Sequence, residues 1–364
     1  MNKNYLSKSQ DLNQSLEVIS YNPIHPLVNP QSHTESLRVN RNELRTLPEG
    51  FASSTESAVT NTLNIISLIL DASGHPVAGR VIGVITGILG ILWPGGSERP
   101  WEEFMEAVEQ LVDEKITEAF KSEAISKLNG LSELYNVYLS ELNLWIEHPY
   151  DPSIIQSVRT RFLDLDSEFI SSLPQFAVSG FEVQFLPVYA QAANLHLLLL
   201  RDLSYYGKDW GLQEAEIENF YNRQIKNIQI YIDHCAEWYE RGLQDVYNSF
   251  NSTNINEDGG LPWTHYNRYR REMTIYVLDL IATFPTNDWK RYHLETNVEL
   301  SREIYTDPLG YENSDTENIT DEDWYSEGVS FSAIENMHPP RLVEWLNKVY
   351  IETDYFSAGS IGIF

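Results

Sequence analysis

Three closely spaced acidic residues, Asp164, Asp166 and Glu168, are the first candidates for chemistry in this sequence. Alternating carboxylates can bind calcium, but the glycine and the ligand spacing of a calcium loop are missing here. Asp164 and Glu168 are separated by one helical turn and share a face, whereas Asp166 faces elsewhere. Two carboxylates on one face can line a water-filled channel and favour cations, or they can form a solvated acidic surface. Both interpretations stay open from these residues alone.

A second candidate is the run that contains His234, Cys235 and Glu237, which carry atoms suited to a metal ion. These side chains do not converge on one amphipathic helix, so we expect no metal site. The zinc-protease motif HExxH, the phosphate-binding motif GxxxxGK(S/T) and the nucleophile motif GxSxG are all missing. The sequence therefore predicts neither an enzyme nor a cofactor. Cys235 is the only cysteine, so packing must hold the fold without an intrachain disulfide.

The charge balance excludes one large class of partners. The 364 residues include 25 basic and 53 acidic ones, which gives a net charge of −28. Such an excess repels the phosphates of nucleic acids, so we expect no nucleic-acid partner. A hydrophobic share of 42% is typical of a folded globular protein. The amino terminus lacks the apolar core of a signal peptide.

The spacing of apolar residues predicts a large helical domain that positions these side chains. Helices are predicted over residues 77–93, 101–120, 123–146, 153–172, 186–206, 212–243 and 264–284. In the first of them Gly79, Gly83 and Gly87 repeat on one face, where small residues let another helix come close. After residue 285, short runs of β-branched and aromatic residues predict β structure, with a short helix at 339–348 and a strand at 348–353.

The segment VQFLPVYAQAANLHLLLL, residues 183–200, has no ionised side chain but carries His196. A helix of this length fits either a membrane or the centre of a bundle. A neutral histidine in a protein core needs only a hydrogen-bond partner, whereas a polar side chain inside a bilayer is costly. We therefore place residues 186–206 at the centre of a bundle. The helix should begin near Leu186, because Pro187 is tolerated in a first turn.

Residues 1–54 precede the regular helices and are expected to be a flexible leader, since the stretch is largely polar and shows no sustained period. Arg38, Arg41 and Arg45 lie just before the first helix, which suits cleavage by a trypsin-like protease. They could equally be ordinary surface arginines.

Four long blocks carry a family resemblance. They are LDLDSEFISSLPQFAV, VYAQAANLHLLLLRD, YNRYRREMTIYVLDLIATFPTNDWKRYHLETNVELSREIYTDP and FSAIENMHPPRLVEWLN. Together they resemble the three-domain insecticidal crystal toxins, the δ-endotoxins of spore-forming bacteria, over roughly residues 55–355. The resemblance implies a mainly α fold, a seven-helix bundle around a central hydrophobic helix, followed by the beginning of a β-rich domain. It assigns 55–290 to the pore-forming bundle and 291–364 to an incomplete start of the receptor-binding domain.

The same resemblance implies a function. It describes an insecticidal pore-forming toxin, made as a crystal inclusion inside a spore-forming bacterium and cut by a host trypsin-like protease. A membrane receptor concentrates such a toxin at the insect midgut membrane. A hairpin of residues 153–172 and 186–206 then inserts and self-assembles into a cation-permeable pore. The alternative is a soluble, nonlytic family member or fragment that only binds a partner.

Site residues also follow from the resemblance. Asp164 and Glu168 lie on the more polar helix of the hairpin and become candidates for lining the pore. Four residues match the family's central-helix block and become candidates for bundle integrity, insertion or oligomerisation: Tyr189, Asn194, His196 and Arg201.

Overall fold

The computed structural model describes residues 53–73, 78–112, 115–251, 260–292, 296–300, 349–353 and 356–361. Within these ranges eight long helices follow one another: α1 (Ser53–Ser73), α2 (Ala78–Leu92), α3 (Arg99–Val112), α4 (Glu118–Glu147), α5 (Pro152–Ser172), α6 (Leu186–Tyr206), α7 (Glu214–Asn251) and α8 (Gly260–Met273). A π-helical turn, Thr274–Leu278, continues α8 into the short helix Asp279–Ile281. The predicted mainly α fold is confirmed.

Helix α6 is the centre of the bundle. All of its residues are buried except Arg201 and Tyr205. It begins at Leu186 with Pro187 in its first turn, as predicted. A helix that is apolar nearly all round can bury its surface only if other helices pack on every side. Helices α3, α5 and α7 pack on it, together with the continuation of α8 over Thr274–Leu278 and Asp279–Ile281. Helix α4 reaches it through two tyrosine hydroxyls.

The surrounding helices turn one apolar stripe toward α6. In α4 the predicted stripe is buried in full: Leu128, Leu131, Tyr135, Tyr138, Leu142 and Trp145. Helix α5 begins where Pro152 occupies the first turn and the Asp151 carboxylate accepts the Ser153 amide at 2.8 Å. That cap satisfies one of the free amides of a helix start. The sequence patterns therefore become helices whose apolar faces form one core.

The prediction of a single helix over 101–120 is wrong. Helix α3 ends at Val112 and α4 begins only at Glu118. The Glu109 carboxylate accepts the backbone amide of Ile116 at 2.7 Å and pairs with Lys121 at 2.9 Å. One side chain thus holds the connection between α3 and α4, and the apolar spacing across 101–120 did not reveal it.

The glycine stripe of α2 packs less closely than expected. Gly83 is exposed, and a methyl group added there would meet nothing within 4 Å. At Gly87 an added Cβ would lie 2.9 Å from Cδ1 of Leu68 in α1. Of these two glycines, only Gly87 makes a close contact with another helix. The surroundings of Gly79 lie outside the described part of the structure.

Three antiparallel strands follow the helices in the described residues: β1 (Thr296–Leu300), β2 (Val349–Thr353) and β3 (Phe356–Ile361). They lie in the order β1-β2-β3, with Val298 opposite Ile351 and Val349 opposite Ile361. The predicted strand at 348–353 is therefore confirmed, and β3 was not predicted. The predicted helix at 339–348 lies outside the described residues. The domain limits 1–54, 55–290 and 291–364 stay predictions.

Across the part of the chain that the structure describes, none of the helices combines the length and the apolar character needed to cross a membrane.

Candidate functional site

The hairpin of α5 and α6 carries most of the side chains that the sequence singled out. A short 3-10 helix, Leu173–Phe176, and a turn with Gly180 at a φ of 90° connect the two helices. A positive φ of this size favours glycine. The hairpin places α5 against one side of the central helix and leaves α7 against another.

His196 is fully buried at the middle of α6, and both of its ring nitrogens have partners. Nε2 lies 3.0 Å from Oδ1 of Asp166 in α5, and Nδ1 lies 2.7 Å from the hydroxyl of Tyr231 in α7. A carboxylate can only accept, so Nε2 carries the proton and donates to Asp166. Nδ1 then accepts a hydrogen bond from the Tyr231 hydroxyl. One neutral tautomer therefore satisfies every group in this chain of contacts.

Arg223 completes the cluster from α7. Its Nη2 lies 2.8 Å from both carboxylate oxygens of Asp166. Burial acts to raise the pKa of Asp166, but the His196 hydrogen bond and the Arg223 charge outweigh it, and the pKa lies below its ordinary value. Asp166 is therefore ionised at neutral pH although its side chain is only 6% exposed.

Burial also sets the state of His196. It disfavours the charged ring and lowers the pKa, against the opposing pull of Asp166, so the imidazole is neutral at neutral pH. Phe169 of α5 stacks on the ring with centroids 5.0 Å apart and an angle of 10° between the planes. The cluster, defined as Asp166, His196, Arg223 and Tyr231 and called the central cluster below, joins three helices around one satisfied histidine.

A second polar contact links the central helix to α4. The Tyr138 hydroxyl donates to Oδ2 of Asp202 at 3.0 Å, and the Tyr135 hydroxyl donates to the backbone carbonyl of Leu195 at 2.9 Å. Oδ1 of Asp202 has no hydrogen-bond partner among the described residues. Burial raises the pKa of Asp202 to about 7, although Arg201 and the Tyr138 hydrogen bond both act to lower it. This carboxyl group therefore differs from Asp166, which is ionised and fully paired.

The predicted pore-lining carboxylates lie on the outer side of α5. Asp164 is exposed and pairs with Arg161 at 3.3 Å. Glu168 is half-buried and accepts the Ser172 hydroxyl at 2.9 Å. Asp166 faces away from Asp164 and Glu168, as the sequence indicated, and the structure buries it, so the three acidic residues do not form one site. In the bundle, Asp164 and Glu168 present negative charge near the surface, away from the central cluster.

The four central-helix candidates have different surroundings. Tyr189 is buried, and its ring centroid lies 4.0 Å from that of His234. Asn194 is fully buried, and its side-chain amide has no hydrogen-bond partner within the described ranges. Arg201 is half-buried next to Asp202. Only His196 belongs to the central cluster.

Sequence reasoning missed the partners of His196. Asp166 lies four positions after Phe162 and three before Phe169, both of them buried, so its inward face could have been found from this spacing. Arg223 gave no comparable signal, because a basic residue near the edge of an amphipathic stripe is ordinary. His234, Cys235 and Glu237 do not converge, and the described residues contain no group of three side chains that could hold a metal ion.

Comparison with known proteins identifies the family. The family model described as the delta endotoxin N-terminal domain matches residues 66–288, which is more than half of the chain. The chain belongs to the delta-endotoxin family. A second delta-endotoxin model matches residues 296–362 of this delta-endotoxin, the part that contains the three strands.

Relatives and solved structures agree. The delta-endotoxin chain is 42% identical over 308 residues to the pesticidal crystal protein Cry8Ba of Bacillus thuringiensis serovar kumamotoensis, an alignment that covers 84% of this chain and 25% of Cry8Ba. It is similar to the crystal structure of Bacillus thuringiensis Cry7Ca1, with a TM-score of 0.70 and 40% identity over 79% of this chain and 47% of that one. The insecticidal delta-endotoxin Cry8Ea1 gives a TM-score of 0.69 at 40% identity, with 78% and 45% covered.

The delta-endotoxin chain spans less than half the length of these relatives, including 29% of Cry7Aa from Bacillus thuringiensis, to which it is 38% identical over 98% of its own residues. Arg38, Arg41 and Arg45, the predicted activation sites, lie outside the described residues.

Proposed function

We propose that this delta-endotoxin chain supplies the membrane-perforating helices of an insecticidal toxin. The observation that carries the proposal is the arrangement of one almost fully buried helix, α6, inside a shell of one-sided helices. Shell helices can exchange their apolar contacts in the bundle for contacts with a lipid surface. A buried helix can then leave the bundle without first exposing its apolar surface to water.

The inserting unit in this proposal is the α5–α6 hairpin. The Asp166–His196 hydrogen bond joins its two helices, so this contact can travel with the hairpin. The contacts of Arg223 and Tyr231 come from α7 and must break for the hairpin to leave. The Tyr135 and Tyr138 hydrogen bonds from α4 must break as well. Release therefore exchanges these partners for new ones in an oligomer, where Asp164 and Glu168 would face a cation-conducting passage.

Activation and targeting belong to the same proposal. Trypsin-like cleavage at Arg38, Arg41 or Arg45 would remove the leader, and a receptor on an insect midgut membrane would concentrate the toxin there. The description of one similar solved structure supports an insect target. That structure is described as the functional form of the mosquito-larvicidal Cry4Aa toxin, and it matches with 25% identity and a TM-score of 0.62.

Dye release from lipid vesicles at about pH 9 tests the proposal, with the full chain compared before and after limited trypsin treatment. We expect release to increase severalfold after cleavage, because the leader would no longer oppose rearrangement. Circular dichroism on the same samples controls for folding. If the trypsin-treated protein is folded and releases no dye at any protein-to-lipid ratio, pore formation by this chain is rejected in favour of a nonlytic protein that only binds a partner.

A further inference from the structure

Asp202 is a buried carboxyl group that the central cluster does not use. It lies on α6, is 1% exposed and has one hydrogen bond, from the Tyr138 hydroxyl of α4 to Oδ2 at 3.0 Å. Oδ1 has no partner in the described structure. An ionised carboxylate in an apolar core loses its hydration, and unfilled acceptor sites are far more costly for the charged form than for the neutral form. This interface therefore favours a protonated Asp202.

Few groups act on the Asp202 carboxyl. Arg201 and Tyr206 on α6, with Tyr135 and Tyr138 on α4, are the titratable or charged side chains that interact with it or with its partner. Charged side chains on the other helices around α6 have partners of their own: Asp166 of α5 with Arg223 of α7, Glu109 of α3 with Lys121, and Glu272 of α8 with Arg268. Asp279, in the extension of α8, is also buried. Arg201 is half-buried and contributes the only attraction from a neighbouring cation among the influences on Asp202.

We propose that Asp202 is a proton-dependent latch between α4 and α6, which holds the two helices together when it is protonated and loosens the central helix from α4 when it ionises. The regulatory part of this inference rests on the proposed function, because a loosened α6 lowers the barrier to hairpin release. Outside the bundle the ionised carboxylate regains water or a cationic partner, so ionisation favours the released state.

The sign of the effect follows from linkage. The pKa of Asp202 in the bundle, about 7, lies above its ordinary value of 3.8, so the folded state holds the proton more tightly than the unfolded chain. Stability is then fully present below the ordinary pKa, falls as the pH rises toward about 7 and stays reduced above it. The bundle is consequently weakened on the alkaline side.

Equilibrium urea unfolding of the full chain, followed by circular dichroism from about pH 5 to pH 9, tests the latch. Asp202→Asn removes the titration and keeps the side-chain shape, while Asp209→Asn is a matched control at an exposed position just after α6. We expect the folding constant of the wild type, relative to Asp202→Asn, to fall at least tenfold between about pH 5 and pH 8, since a full proton difference gives tenfold per pH unit. A ratio that does not change with pH would overturn the latch.

A second variant keeps the inference testable if Asp202→Asn does not fold. Tyr138→Phe removes the hydrogen bond that stabilises the ionised carboxylate, so the titration of Asp202 should move to higher pH. Infrared difference spectra of the wild type and Tyr138→Phe can follow the band of the protonated carboxyl group directly. Absence of a buried carboxylic-acid band below neutral pH in the wild type, or a shift to lower pH in Tyr138→Phe, would contradict the proposal.

Vesicle assays separate the latch from the proposed function. With trypsin-treated wild type, the dye-release rate should rise severalfold between about pH 6 and pH 9, and Asp202→Asn should show a smaller rise than Asp209→Asn. Equal pH profiles for the two variants would remove the regulatory role. Complete absence of dye release for all proteins would reject the pore, while the unfolding experiment would still decide whether Asp202 is a proton-dependent latch.

Discussion

His196 shows how one side chain connects three helices. Its Nε2 donates a hydrogen bond to Asp166 of α5, and its Nδ1 accepts one from Tyr231 of α7. Phe169 covers one face of the ring. Burial raises the pKa of Tyr231, so its hydroxyl keeps its proton and remains a donor over the physiological range. At neutral pH Asp166 is therefore ionised, while His196 and Tyr231 are neutral.

Acidic pH should break this arrangement. The pKa of His196 in the bundle lies below its ordinary value of 6.5, so the unfolded chain takes up the proton first and stability is lost as the pH falls below that value. The depressed pKa of Asp166 adds a loss at lower pH, as the carboxylate is protonated through its folded-state pKa. Both contributions have the opposite sign to that of Asp202.

We predict that the free energy of unfolding of His196→Gln falls less steeply with decreasing pH than that of its parent. The midpoints of urea unfolding between about pH 7.5 and pH 4.5 measure this pH dependence. Both proteins should carry Asp202→Asn, because Asp202 changes the stability in the opposite direction over this range. The variant should be less stable than its parent at neutral pH, yet lose less with acidification, by up to tenfold in the folding constant per pH unit. Parallel curves for variant and parent would show that His196 does not titrate on unfolding.

At the scale of elements, the close approach of α7 and α8 depends on one glycine. An added Cβ at Gly242 would lie 2.1 Å from the hydroxyl oxygen of Tyr269 and 2.7 Å from a methyl carbon of Val183. The Tyr269 hydroxyl donates to the carbonyl of Tyr239 on α7 at 3.2 Å. The two helices can therefore adopt this spacing only where no side chain stands between them.

Gly242→Ala should destabilise the bundle by about 1–3 kcal/mol, as overpacking of a tight core does. Gly130→Ala is the matched control on α4, since a Cβ there meets nothing within 4 Å and alanine favours a helix by roughly 0.5–1 kcal/mol over glycine. Thermal and urea unfolding of both variants should give opposite signs. A neutral or stabilising Gly242→Ala would mean that Tyr269 moves aside freely.

The polar contacts of the hairpin fall into two groups, those within the hairpin and those that join it to other helices. The Asp166–His196 contact lies within the α5–α6 unit, whereas Arg223 and Tyr231 hold that unit to α7. Asp202 and Tyr138 hold α6 to α4. In the proposed function, these polar contacts must break in addition to the apolar packing of α6, and two of them involve groups whose protonation the bundle controls.

At the scale of the whole molecule, the net charge decides which surfaces the chain can approach. The net charge of −28 repels anionic surfaces, so attraction to a membrane must come from apolar contacts or a receptor rather than from bulk charge. The same acidic character would favour cations near any assembled passage. Asp164 and Glu168 are the hairpin carboxylates on the outer side of α5 in the bundle.

Ion selectivity of the assembled protein tests that assignment. In planar bilayers with a salt gradient, the double variant Asp164→Asn with Glu168→Gln should lower the cation-to-anion permeability ratio severalfold, because two carboxylates per subunit no longer face the passage. Glu133→Gln, an exposed carboxylate on α4 outside the hairpin, is the control and should leave the reversal potential unchanged. An unchanged reversal potential in the double variant would remove these residues from the pore lining.

The sequence by itself determined most of the helices and the place of the central one. Apolar spacing close to the helical period marks a buried stripe, and a helix that is apolar nearly all round can be buried only in the middle of others. It also indicated that Asp166 faces away from Asp164 and Glu168, because the angle between positions on one helix is fixed.

Only the tertiary structure decided which polar groups meet. Asp166 lies 30 positions from His196 and 57 from Arg223, and His196 lies 35 from Tyr231. Such pairs depend on how far neighbouring helices slide and rotate against each other, and the period of one helix holds no information about that relation. The break between α3 and α4 was hidden for a different reason, because apolar spacing does not show that the Glu109 carboxylate accepts the backbone amide of Ile116, seven positions further on.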